Sequence, residues 1–249
     1  MDKLIPDAWH DLLKDVVATM EPDFPKFVNE MTIPAAKDLF TAFKWTAPDN
    51  VSVVIFGQDP YPRRESAGGV SFCDFMINSW NSPLPPSLRN IIKSVLISQN
   101  LATKSSKIDD LRKVLKNREE PKNWFKRLAT KNGVLWLNSS LTFLSKDPQN
   151  LKEHADFWAP FLAKIIEILK EKRVVFVLWG SVAANLKDFC EGKNSKIVMN
   201  SHPMMEKFHG KCTFEEILEA QKELGVEIVD FLPRKIEQEK FGIFKQRRI

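Results

Sequence analysis

V-V-I-F-G-Q-D-P-Y-P, residues Val53 to Pro62, is the stretch whose reading decides the fold. Its first four residues are apolar without a polar interruption, and three are β-branched, so they read as a short strand buried on both faces, the pattern of a parallel sheet. At Gly57 the strand gives way to a loop. Asp59 and Tyr61 each precede a proline, whose ring pushes the residue before it out of the helical region into extended backbone. Two such steps in succession stiffen the loop. A carboxylate on a stiff loop at the carboxyl end of a buried strand stands where open α/β sheets place their ligand crevice. A lone Asp-Pro pair also occurs as a tight turn whose aspartate bonds its own backbone, so the rest of the chain has to decide.

Three further runs answer to the first. Gly133 to Asn138 (G-V-L-W-L-N) ends in an amide, Val174 to Ser181 (V-V-F-V-L-W-G-S) in a glycine and a hydroxyl, and Lys196 to His202 (K-I-V-M-N-S-H) in an imidazole before Pro203. Helical spacing of apolar residues predicts helices from Leu88 onward, over Asp156 to Lys172 and over Thr213 to Leu224, with short helices between about Ala8 and Phe43 broken by Pro6, Pro22, Pro25 and Pro34. Strands alternating with helices predict an α/β fold with a parallel sheet. Parallel strands end on the same edge, so Asp59, Asn138, Ser181 and His202 are expected to converge on one crevice. Singly, each residue has an ordinary use as a turn, cap or surface group. Together they point to a site.

A chain of 249 residues is long enough for one domain with a substantial core, and a single domain is expected: a helical part to about residue 50, a core over about 51–232 and a basic tail over about 233–249. A net charge of +5 and a pI near 9.0 permit nucleic-acid binding without requiring it. Cys73, Cys190 and Cys212 are odd in number and far apart, which argues against a disulfide framework or a zinc site and for reduced thiols. The start, M-D-K-L-I-P-D, has no apolar segment of the kind that directs export, and no run is long enough to span a bilayer. An unexported protein is expected, cytoplasmic in a prokaryote and otherwise wherever DNA is replicated. Against 18 Phe there is one Tyr, and it is Tyr61 in the pivotal loop. Gly68 and Gly69 allow a sharp return that would bring Phe72 to the mouth of the crevice. Ser87, in the stiff loop Ser82 to Leu88, suits a helix cap or a phosphate contact. Lys104 to Arg127 is strongly charged; a solvated helical face is the first expectation and attraction to a DNA backbone the second.

Five of these segments, in order along the chain, resemble family 1 uracil-DNA glycosylases. Gly57-Gln58-Asp59-Pro60-Tyr61 resembles the family's water-activating motif, Pro85-Pro86-Ser87-Leu88 its proline-rich loop and Gly133 to Asn138 its uracil-reading strand. Val177-Leu178-Trp179-Gly180-Ser181 is similar to its glycine-serine loop, and Ser201-His202-Pro203 to the start of its leucine loop. The resemblance implies a three-layer α/β/α fold around a central four-stranded parallel sheet, and hydrolysis of the bond joining uracil to deoxyribose in single- or double-stranded DNA. Glycosylases are a general instance of enzymes that extrude the base they act on.

By the same resemblance Asp59 is the catalytic carboxylate and His202 the group that hydrogen-bonds the departing base. Asn138, with Gln58, would read uracil; Tyr61 would exclude the thymine methyl and Phe72 would stack on the base. Ser87, Gly180, Ser181 and Pro203 would hold the DNA backbone. The reaction asks for no metal and no cofactor, and a monomer is expected. Two positions depart from the family pattern. Pro62 stands where most members have histidine, resembling the poxviral branch, and the loop after Pro203 offers Met205, or else Met204, as the wedge that enters the duplex. The alternative reading is a DNA-binding or polymerase-processivity subunit that keeps the fold as a scaffold.

Overall fold

The computed structural model describes residues 1–236. Helices α1 (Asp7–Met20), α2 (Phe24–Phe27) and α3 (Thr41–Trp45) precede strand β1 (Val53–Gly57), and α4 (Pro86–Ser98), α5 (Ile108–Leu115) and α6 (Pro121–Asn132) lead to β2 (Val134–Asn138). Helix α7 (Pro148–Lys170) connects to β3 (Val174–Trp179), the short α8 (Ser181–Ala184) and α9 (Lys187–Cys190) to β4 (Ser195–Asn200), and α10 (Thr213–Leu224) follows. The four strands are parallel in the order β2-β1-β3-β4.

That order fixes the layers. The chain steps from β1 to β2 in one direction, then crosses back over β1 to β3 and β4 in the other. With right-handed crossovers, α4 to α6 must cover one face and α7 to α9 the opposite one. Packing of α10 on α4 and of α1 and α9 on α7 completes the two outer layers. Every residue of β1, β2 and β3 is buried, whereas β4 at the edge is only partly covered. The apolar runs therefore belong to strands sandwiched between helices. Direction reverses between β1 and β3, and at such a reversal the connections splay apart, leaving a crevice at the carboxyl edge.

The core carries five fully buried tryptophans, Trp9, Trp124, Trp136, Trp158 and Trp179. Their ring N–H groups are mostly matched: Trp9 donates to the Thr46 carbonyl at 2.9 Å, Trp158 to Thr142 Oγ1 at 2.7 Å and Trp179 to Thr213 Oγ1 at 3.0 Å. Cys73, Cys190 and Cys212 are free thiols, and burial pushes the Cys190 thiol up to about 12. Among the described residues no helix is long and apolar enough to cross a membrane.

Three sequence expectations change. The helix expected from Asp156 starts at Pro148, because Asp147 caps it by accepting from the N–H groups of Gln149 and Asn150. Lys104 to Arg127 is not simply a solvated face: Trp124 and Phe125 are fully buried, and Arg127 is buried against Glu119 at 2.6 Å. Ser87 is not the cap of α4, since Pro85 holds that place and Ser87 lies inside the first turn. Of the expected tail, residues 237–249 lie outside the described residues. Its beginning is docked, with Lys235 bridged to Arg118.

Candidate active site

The carboxyl ends of the strands enclose a cleft of about 210 Å³ lined by Gln58, Asp59, Tyr61, Phe72, Asn138 and His202, among others. Its floor is set by strand register. Gly57 pairs with Asn138 across β1 and β2, and the two chain exits are tied where Ser139 N–H donates to the Gly57 carbonyl at 2.9 Å and Ser140 N–H to that of Gln58 at 3.0 Å. Gly57 has to lack a side chain. A Cβ there would meet Asn138 Oδ1 at 2.4 Å and Ser71 Cβ at 2.9 Å. Asn138 is buried, and among the described residues its amide makes no hydrogen bond, so donor and acceptor are both free for a ligand.

Asp59 extends from the stiff loop with its side chain 18% exposed, and Lys146 Nζ donates to its Oδ1 at 2.7 Å. The ammonium also lies 4.1 Å from the centre of the Phe143 ring and 3.4 Å from the Pro60 carbonyl oxygen. One carboxylate oxygen is thereby held and the other left free among the described residues. Sequence reasoning missed Lys146, which stands 87 residues beyond its partner and belongs to no motif.

The aromatic walls are linked to each other. Tyr61 Oη donates to the Phe72 carbonyl at 3.1 Å, and burial raises the phenol well above its ordinary pKa. Phe72 has a φ of 60°, an uncommon conformation for a bulky residue. This turn sets its ring 5.6 Å from Trp179 and 6.3 Å from His202, centre to centre.

His202 is held from two sides. Its Nδ1 accepts from the Met204 N–H at 3.2 Å, so in the neutral ring the proton is on Nε2. Burial pushes its pKa below the ordinary value, opposed by the negative charge of Asp59. The imidazole is therefore neutral at pH 7 and still a donor. Behind it, Gly180 adopts a φ of 90°, and a Cβ there would lie 2.9 Å from His202 Cβ. Pro203 is fastened to α4 by Asn90 Nδ2, which donates to its carbonyl at 2.6 Å.

Ser87 and Met204 also line the cleft, but Gly180 and Ser181 do not. They border an adjoining depression of about 90 Å³ that shares Gln58 and His202 with it. The expected convergence thus holds for Asp59, Asn138 and His202, with Ser181 one step outside. Met204 and Met205 are 62% and 50% exposed.

Fold and cleft define the class: a three-layer α/β protein whose site, at the switch point of a parallel sheet, combines a carboxylate, a neutral imidazole and an unengaged amide between aromatic walls. The model of the uracil DNA glycosylase superfamily matches residues 43–223, and the chain belongs to that family. It is 31% identical to the uracil-DNA glycosylase of Deinococcus radiodurans, over 94% of this chain and 91% of the relative. To that of Streptococcus mutans it is also 31% identical, over 90% and 98%. The crystal structure of a point mutant of the UNG from Nitratifractor salsuginis superposes with a TM-score of 0.75 at 25% identity, covering 93% of this chain and 95% of that one.

Proposed function

We infer that the chain is a uracil-DNA glycosylase, hydrolysing the bond between uracil and deoxyribose in DNA to leave an abasic site, the opening step of base-excision repair. The observation that carries this reading is the meeting of Asp59, Asn138 and His202 in one cleft, in a chain of this family. As that bond lengthens, positive charge grows on the sugar and negative charge on the base, so the site has to meet both.

Asp59 faces the sugar, orienting a water and stabilising the oxocarbenium-like charge. Lys146, by holding one oxygen of that carboxylate, leaves the other for the water. Uracil departs as a delocalised anion. His202 then need only donate a hydrogen bond from Nε2 to the oxygen where charge accumulates, and a single preorganised donor of this kind contributes about 10²- to 10³-fold in rate.

Asn138 reads the base, pairing its acceptor with N3–H and its donor with O4. Cytosine presents the reverse pattern, and a buried site that mismatches its ligand in this way discriminates by about 10⁴ to 10⁵. Tyr61 stands against the C5 position, where thymine carries a methyl, Phe72 stacks on the ring, and Gln58 adds contacts. Reaching this cleft requires the nucleotide to flip out of the stack. Ser87, Gly180, Ser181 and Pro203 grip phosphates, and Met205, with Met204 beside it, wedges into the duplex. Pro62 places no imidazole where the resemblance leads one to expect histidine, so backbone grip in that loop falls to other groups.

The test is release of free uracil from a labelled oligonucleotide with chelator present, comparing wild type with Asp59→Asn and with thymine- and cytosine-bearing controls. Release of uracil alone is expected, reduced about a hundredfold or more in the variant. A folded, DNA-binding protein that releases nothing would sink this reading and favour the scaffold alternative.

A further inference from the structure

Met204 lines the catalytic cleft on one side and, on the other, a second groove of about 460 Å³. Arg89 and Lys93 enter this groove from α4, Lys104 and Lys107 from the connection into α5, and Glu206 and His209 from the loop after β4. Four cations face one carboxylate. The acidic residues next in sequence, Asp109 and Asp110, pair with Arg112 and Lys113, and among the described residues none of the four groove cations is ion-paired. A solvated face would spread like charges apart, whereas here two separate segments bring them together.

The groove is also built into the catalytic frame. Lys93 Nζ donates to the Lys104 carbonyl at 2.7 Å, joining the two segments, and the Asn90 bond to Pro203 joins α4 to the loop that carries His202. His209 Nδ1 is buried and has no partner among the described residues. The pKa values of both Lys93 and His209 are lowered, chiefly by burial and secondarily by the neighbouring cations: Arg89 for Lys93, and Lys93 and Lys104 for His209.

We propose that this groove is a further DNA subsite, which takes backbone phosphates of the strand as it leaves the catalytic cleft across Met204. The proposal rests on the glycosylase reading and extends its footprint. A free phosphate offers the same chemistry, but continuity with the cleft favours the polymer.

The test measures binding of uracil-free single strands of about 4 and about 16 nucleotides, the span over which single-stranded grooves track DNA. Fluorescence anisotropy is read over a salt series, together with kcat and KM for uracil release at both lengths. Lys104→Glu/Lys107→Glu is compared with wild type, with Lys104→Arg/Lys107→Arg, and with Lys3→Glu/Lys14→Glu, a matched charge change at exposed positions outside either groove. The reversal should weaken the longer strand about tenfold or more at low salt and flatten its log–log salt slope by about 1.4, the loss of two phosphate contacts on a single strand. The shorter strand and kcat should be unaffected, and the Arg pair should bind as wild type.

Unchanged binding of the longer strand would overturn the proposal, as would equal weakening of the shorter strand or by the control pair. Binding of inorganic phosphate to wild type but not to the reversed variant, with no effect on binding of the longer strand at matched ionic strength, would make it a site for free anions and also overturn it. Wild type that releases no uracil while keeping the length-dependent binding would sink the glycosylase reading and leave the subsite standing.

Discussion

Gly180→Ala tests how the site is assembled. At a φ of 90° an alanine is strained by about 1–3 kcal/mol, and its Cβ would sit 2.9 Å from His202 Cβ and 3.2 Å from His202 Cδ2, inside van der Waals contact. One of the two has to move. The strain predicts a fall in thermal midpoint of roughly 2–12 °C for a chain of this size. Displacing the imidazole removes the donor that meets the charge on departing uracil, so kcat should fall by about 10²- to 10³-fold. The assay is kcat for uracil release at saturating oligonucleotide, read in a double-mutant cycle with His202→Gly. Glycine is the required partner, since an alanine at 202 would keep the atom the new methyl strikes. If Gly180 acts through His202, the double variant has the kcat of His202→Gly alone. An unchanged kcat in Gly180→Ala, or a full further loss in the double variant, refutes the reasoning.

Tyr61→Ala should open the wall against the C5 position and yield measurable thymine release, scored by chromatography of the freed base; no thymine at all would count against the steric role. Met205→Ala should lower activity on duplex substrate several-fold relative to single-stranded substrate, because only a stacked base needs a wedge, and an unchanged ratio would remove Met205 from that role. Burial lowers the pKa values of His154, His202 and His209, so the unfolded chain, with histidines near their ordinary value of about 6.5, takes up protons before the folded one does. Their contribution to stability is complete above about pH 6.5 and is lost as pH falls through the lowered folded values. The thermal midpoint should therefore drop between about pH 7 and pH 5, and a flat or rising profile there would be inconsistent with neutral buried imidazoles.

The sequence by itself determined the sheet and the edge on which the site lies. Apolar runs ending in Gly57, Asn138 and Gly180 are local signals, since burial on both faces demands an unbroken apolar strand, and parallel strands, the partly covered edge strand before His202 included, must all end on one side. The start of α7 was legible too, in the Asp147-Pro148 pair that caps and opens a helix, although apolar spacing alone placed it later. Tertiary structure decided what depends on distance through space. Lys146 reaches Asp59 across 87 residues, and no periodicity encodes an ion pair between two loops. The φ of Phe72 and the approach of Gly180 to His202 follow from how the loops close over the strands. In sequence Lys104 and Lys107 belong to one strongly charged stretch and Arg89 and Lys93 to the helix expected from Leu88 onward, and only the packing of α4 against the connection into α5 brings the four into one groove. Local pattern fixes which residues are strand, helix or loop; the path of the chain in three dimensions fixes which of them meet.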